Sequence, residues 1–157
     1  MRKILILLLI LCLTLSGIGC SREQQSHMVF YYLRSSDTIQ YGQSDALMEP
    51  VEQDFTSQDL DSLLQQYLNG PTDEMHRNPF PKGTYLLSTI LREDMMIVVL
   101  SREFSTLDGI QLTLAGACLT ATCRNLTGLD RIQVRSGENI YDFDYNSYVF
   151  LDDCAGK

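Results

Sequence analysis

Asn69-Gly70-Pro71 stops a helix at a fixed point in the chain, and that stop decides how the flanking segments can be laid out. Upstream, TSQDLDSLLQQYLNG sets Leu60, Leu63, Leu64, Tyr67 and Leu68 at the spacing of one helical face, an apolar stripe that needs a core to cover it. Thr56 with Asp59 three residues on predicts a capping box, and Asp59 and Asp61 complement the positive end of the helix dipole. Gly70 is expected just past the last helical residue, and Pro71 forbids another turn. Downstream, Pro71, Pro79 and Pro81 fence a polar stretch holding Asp73, Glu74, His76 and Arg77. Those residue types suit a small metal or acid–base site. They also suit a rigid connector between a helix and a strand, with its charged residues in a solvated loop, and this is the expectation adopted here.

The segments around this break alternate in kind. HMVFYYLRS is apolar on both strand faces and reads as a first, central strand. Met48 to Glu52 reads as a short extended segment. TYLLSTILRED and MMIVVLSREF are two strands joined across Arg92-Glu93-Asp94 as a hairpin. TLDGIQLTLAGACLTATCRNL is a second helix with Asp108 as its N-cap. Its apolar residues form two stripes, one of Leu112, Ala115, Leu119, Thr122 and Leu126, the other of Leu114, Cys118 and Ala121. Two stripes predict deeper burial than the first helix, and Gly116 permits close approach to a sheet. Ile132 and Val134 alternate with Arg131, Gln133 and Arg135, a strand with one wet face. Ser136-Gly137-Glu138 turns it into a last strand around Ile140 to Phe143. This order predicts an α+β fold, a mixed β-sheet with two helices packed on one face. The domain is expected over residues 28–144, with a C-terminal tail at 145–157.

The first twenty residues, MRKILILLLILCLTLSGIGC, carry Arg2 and Lys3, an apolar run from Ile4 to Leu15, and then Ser16, Gly17 and Gly19. That is the pattern of a secretory leader. The run is shorter than the ~20 residues a membrane-spanning helix needs. Cys20 follows at the place of the lipobox cysteine of bacterial lipoproteins, with Gly17 where Leu is usual. Residues 1–19 are therefore expected to be a lipoprotein signal peptide, Cys20 the lipid-bearing mature N-terminus, and residues 20–27 a short tether. Such a tether holds the domain within roughly 20–25 Å of the membrane. The expected place is the extracytoplasmic face of the cell membrane. An ordinary cleaved leader with an incidental Cys20 is the alternative.

The formal charge of −8 becomes −10 when Arg2 and Lys3 leave with the leader. An acidic surface disfavours nucleic acid as a partner. Outside the cytoplasm, Cys118, Cys123 and Cys154 could include one disulfide. Cys118 and Cys123 point about 140° apart on a helix and should not pair with each other. A bridge from Cys154 to Cys118 or Cys123 would staple the tail, whereas small apolar fillers of a buried helix is the alternative account.

Catalytic chemistry finds little support in the sequence. His27 and His76 are the two histidines, and Asp73, Glu74 and His76 match no zinc or EF-hand spacing. Ser88, Ser101 and Ser136 lack a G-x-S-x-G elbow. Isolated glycines offer no phosphate-cradling loop. No metal, cofactor or small-molecule substrate is expected. Asn125-Leu126-Thr127 has the form of a glycosylation sequon but sits at a helix end. Tyr141, Phe143 and Tyr145 alternate on one face of the last strand. Core packing is one account of them, and a partner-binding edge or face is the other, since Tyr is favoured at interfaces.

Four short patterns line up in order: LDSLLQQYLNGPTD, PFPKGTYLLST, VVLSREF and GLDRIQVRSG. Together with the leader they resemble the GerM domain of bacterial sporulation and germination lipoproteins, over roughly Phe30 to Phe143. Leu100 stands before Ser101 where that family usually has an acidic residue. One domain stands where germination-linked members often carry two. The resemblance implies an α+β fold similar to ring-building modules, and no catalytic constellation. It also implies action through other envelope proteins or self-association, in sporulation, germination or cell-wall maintenance. The alternatives are a small cell-wall modifying enzyme and a cation- or solute-binding lipoprotein.

Overall fold

The computed structural model describes residues 26–35, 47–55 and 59–148. The leader, Cys20, most of the tether, Thr56 and Cys154 lie outside the described residues. β1 (Ser26–Arg34) begins within the expected tether and is central in an antiparallel sheet. On one side it pairs with β2 (Met48–Phe55), from Ser26 opposite Phe55 to Leu33 opposite Met48. On the other it pairs with β3 (His76–Arg77), a two-residue strand inside the proline-fenced stretch.

The remaining strands form a second sheet in the order β4 (Leu86–Leu91), β5 (Met95–Leu100), β6 (Arg131–Ser136), β7 (Asn139–Asp144). The two outer pairs are antiparallel and β5–β6 is parallel, so this sheet is the mixed one. The parallel pair needs a long crossover, which the second helix supplies. A bulge separates Leu86 from Ser88. The fold is α+β, and its strands divide between two sheets.

Helix α1 (Leu60–Asn69) buries Leu63, Leu64, Tyr67 and Leu68, the stripe expected of it. Its start corrects the expected capping box. Asp59 is itself the N-cap, and its carboxylate accepts the Ser62 N–H at 3.0 Å. With Leu60 as first helical residue, Asp59 stands one place before the helix rather than three residues into it, and it serves the orphan N–H directly. Gly70 ends the helix at φ 100°, a conformation that favours glycine, with its N–H on the Tyr67 carbonyl.

Helix α2 (Gly109–Thr127) buries nine consecutive residues, Ala115 to Cys123. Asp108 stands at its N-cap position without a side-chain capping bond. Gly116 meets β7: a Cβ there would lie 2.4 Å from the Phe143 ring. Both helices lie on the face of the four-stranded sheet that carries Met96, Val98, Leu100, Ile132 and Val134, all almost fully buried.

One core spans both sheets, and aromatic rings run through it. Phe55 packs on Phe30, Phe30 on Tyr67, Tyr67 on Phe80, Phe80 on Phe104, Phe104 on Tyr141, and Tyr141 on Phe143, with centroids 5.0–6.3 Å apart. Phe80 comes from Asn78-Pro79-Phe80-Pro81, so the prolines deliver a core ring. Phe104 sits in a 3-10 turn at Arg102–Thr106.

Helix side chains also close sheet edges. Thr122 Oγ1 accepts the Tyr31 N–H at 3.0 Å, and Asn125 Nδ2 donates to the Val29 carbonyl at 3.0 Å. On the far sheet, Gln65 Oε1 accepts the Leu86 N–H at 2.9 Å. An edge group sealed this way cannot template another strand.

Candidate functional site

The densest polar group is built around His76. Its Nδ1 lies 2.7 Å from Asp73 Oδ1 and its Nε2 lies 3.1 Å from Glu49 Oε2. Glu49 arrives from β2 and also faces Arg34 Nε of β1 at 3.5 Å. Carboxylates only accept, so the two ring bonds coexist when both ring nitrogens carry hydrogen. Asp73 further accepts the Met75 and His76 N–H groups at 2.9 and 3.0 Å. Desolvation would raise the Asp73 pKa. Hydrogen bonding and charge from His76, with the two backbone N–H groups, outweigh it and hold the carboxyl below its ordinary range.

This arrangement revises the expected solvated loop. His76 is in a strand, and its side chain is only 10% exposed. Sequence spacing placed Asp73, Glu74, His76 and Arg77 together but missed Glu49 and Arg34. The pairing of β1 with both β2 and β3 brings those two in, and no local pattern announces it. The cluster can clamp three chain segments. Its hydrogen bonds among the described residues include no nucleophile, and among these residues no group of three or more His, Cys, Asp and Glu could hold a metal ion.

Among the described residues, Ser101, Ser136, Cys118 and Cys123 are structural. Ser136 Oγ donates to the Ser101 carbonyl at 2.7 Å and accepts the Ser105 N–H at 3.1 Å. Ser101 Oγ accepts the Tyr85 N–H at 3.1 Å. Ser88 lies half-buried in β4. Cys118 and Cys123 are fully buried on α2, and burial pushes both thiols up to about 12, away from a reactive thiolate. Asn125 spends its amide on β1, which leaves it unsuited as a glycan acceptor.

Tyr141 and Phe143 face the core, half-buried, at the end of the aromatic series. Tyr145 follows β7 in a short 3-10 turn, with Arg124 stacked 4.1 Å over its ring. Arg124 also pairs with Asp130 at 2.6 Å. The other face of the four-stranded sheet is different. Ile90 is 40% exposed and Ile140 60%, and among the described residues no helix packs over this face. Ile90 and Ile140 escaped notice in the sequence because each stands in a strand of mixed residues.

Comparison with known proteins agrees with this architecture. Residues 29–139 match the model of the family Germane, described as sporulation and spore germination. The tandem GerMN domains of the sporulation protein GerM from Bacillus subtilis superpose with a TM-score of 0.55 at 14% identity, covering 74% of this chain and 41% of that one. The first GerMN domain of the same protein gives a TM-score of 0.52 at 16% identity, covering 74% of this chain and 86% of that one. This chain thus spans less than half of the tandem structure. No curated protein matches it.

Proposed function

The chain belongs to the Germane family of sporulation and spore germination, and from that membership we propose a non-catalytic, lipid-anchored envelope protein that acts through protein–protein contacts. The lipid is carried on Cys20 at the end of the leader, on the extracytoplasmic face of the cell membrane. The supporting observation is how the reactive side chains are used. The buried Ser101 and Ser136 bond to backbone, the Cys118 and Cys123 thiols are buried, and His76 is held between two carboxylates as part of the scaffold. What the described surface offers is contact area. The partners are other envelope proteins or further copies of the chain.

Metabolic labelling with a lipid precursor tests the anchor: Cys20→Ala should abolish incorporation, and persistent labelling would refute it. Crosslinking from membranes tests the contact role, with discrete adducts expected. Turnover of peptidoglycan by the purified chain, lost in His76→Ala, would instead support an enzyme.

A further inference from the structure

Two sheets have four edges, and among the described residues three of them are blunted over part of their length. β3 is only two residues long, and the rest of that side of β1 is closed by Thr122 and Asn125. The β4 edge gives its Leu86 N–H to Gln65 of α1. The β2 edge is blunted by Pro50. Tyr31 sends its N–H away from β2 to Thr122, so its cross-strand partner Pro50 turns its own backbone to the outer side, where it has no N–H to offer.

Among the described residues, β7 shows no such device over Ile140 and Asp142. Tyr145 N–H bonds the Asp130 carbonyl at 2.9 Å, in register with the β6–β7 ladder. That sets the phase: Ile140, Asp142 and Asp144 direct their N–H and C=O groups away from β6. Among the described residues no backbone group meets those of Ile140 and Asp142, whereas the Asp144 carbonyl opens the 3-10 turn Tyr145–Ser147. The side chains of these three share the outer sheet face, and those of Tyr141 and Phe143 share the core face.

We propose that the β7 edge receives an extended segment of a partner protein in which basic residues alternate with apolar ones. A strand added there would set its basic residues beside Asp142 and Asp144 and its apolar residues beside Tyr141 and Phe143. Charge argues against the other occupants. The chain's own tail would bring Asp152 and Asp153 to an acidic strand. A second copy of β7, paired about a two-fold axis, must keep same-face residues opposite each other. Centring on Ile140, Asp142 or Phe143 sets Asp142 against Glu138, itself or Asp144, and centring on Tyr141 sets Asp144 against Glu138. Like charges directly opposite are destabilising.

This names a partner chemistry for the contact role proposed above and rests on it, but the test needs neither anchor nor native partner. The full chain in detergent is mixed with a ten-residue peptide of alternating Lys and Val, and amide exchange is followed residue by residue. Exchange at the Ile140 and Asp142 amides should slow about tenfold or more at saturation. A Glu–Val peptide should leave it unchanged. Asp142→Asn, which keeps the N–H, should weaken binding about threefold, and Asp142→Pro, which removes an outward N–H, should abolish the protection. If Asp142→Pro fails to fold, the same peptide N-methylated at alternate amides takes its place and should not protect. Equal binding of the Glu–Val peptide, protection on β2 instead, or β7 amides already protected in the free chain would each overturn the proposal. Crosslinked adducts that persist when β7 fails would leave the wider contact role standing.

Discussion

The two helices do the same work by opposite means. Each ties β1 to the four-stranded sheet. α1 does it with long side chains: Tyr67 Oη donates to the Tyr31 carbonyl at 3.0 Å, and Gln65 reaches β4. α2 does it with small ones. Its run of buried alanines, cysteines and threonines lets β1 come within reach of Thr122 and lets the Phe143 ring lie against Gly116. A helix exposed on one side can reach outward, whereas a helix covered on most sides must let its neighbours reach in.

The largest effects should therefore fall on α2. Leu119 is fully buried, and Leu119→Ala should cost about 2–5 kcal/mol in urea unfolding. Leu60, at the half-exposed start of α1, should cost clearly less on the same substitution. Equal losses would mean that the helices do not differ in the way described. Gly116→Ala comes next, at roughly 1–3 kcal/mol, because the new methyl meets an aromatic ring and not a flexible chain end. Phe143→Leu in the same chain should return part of that loss, and a double-mutant cycle that finds the two additive would place the strain elsewhere.

The same contrast explains what could be read from the sequence. α1 was plain because one exposed side leaves one stripe and one stop at Gly70. The two stripes of α2 announced its depth, and Gly116 its closeness to a strand. What the stripes could not show was direction. Thr122 and Asn125 seal an edge of β1 more than ninety positions away, and a polar residue in an apolar helix says only that it needs a partner. For the same reason the division into two sheets went unseen. β3 is two residues long and exists because Leu33 and Arg34 lie opposite it, so no periodicity of its own could mark it. The proline-fenced stretch was legible as a joint, but its part in placing Phe80 between Tyr67 and Phe104 depended on rings from two other segments.

The helix starts sharpen the comparison at a smaller scale. Asp59 and Asp108 stand at the same position of their helices, yet only the Asp59 side chain accepts a backbone N–H from its helix. Asp59→Ala should cost about 1 kcal/mol. Asp108→Ala should leave the urea midpoint nearly unchanged, and a loss matching that of Asp59→Ala would show that the charge at the N-terminus matters more than the bond.

The helix exits differ as well. α2 ends at Gly128, whose N–H returns to the Arg124 carbonyl at 2.7 Å, and nothing in that bond titrates. The chain leaving α1 is held by Asp73, whose carboxyl is kept below its ordinary value of 3.8. A carboxyl with a depressed folded value stabilises the fold above its unfolded value, and that contribution is lost as pH falls through the folded one. Asp73→Asn keeps an acceptor oxygen and removes the charge. It should lower the melting temperature modestly near neutrality, because a group about one-third exposed is partly screened. The gap between variant and parent should then close as pH falls below 3.8 and the parent carboxyl takes up its proton. A gap that stays constant across that range would mean that Asp73 holds the exit by hydrogen-bond geometry alone, and the two helix exits would then be alike in kind.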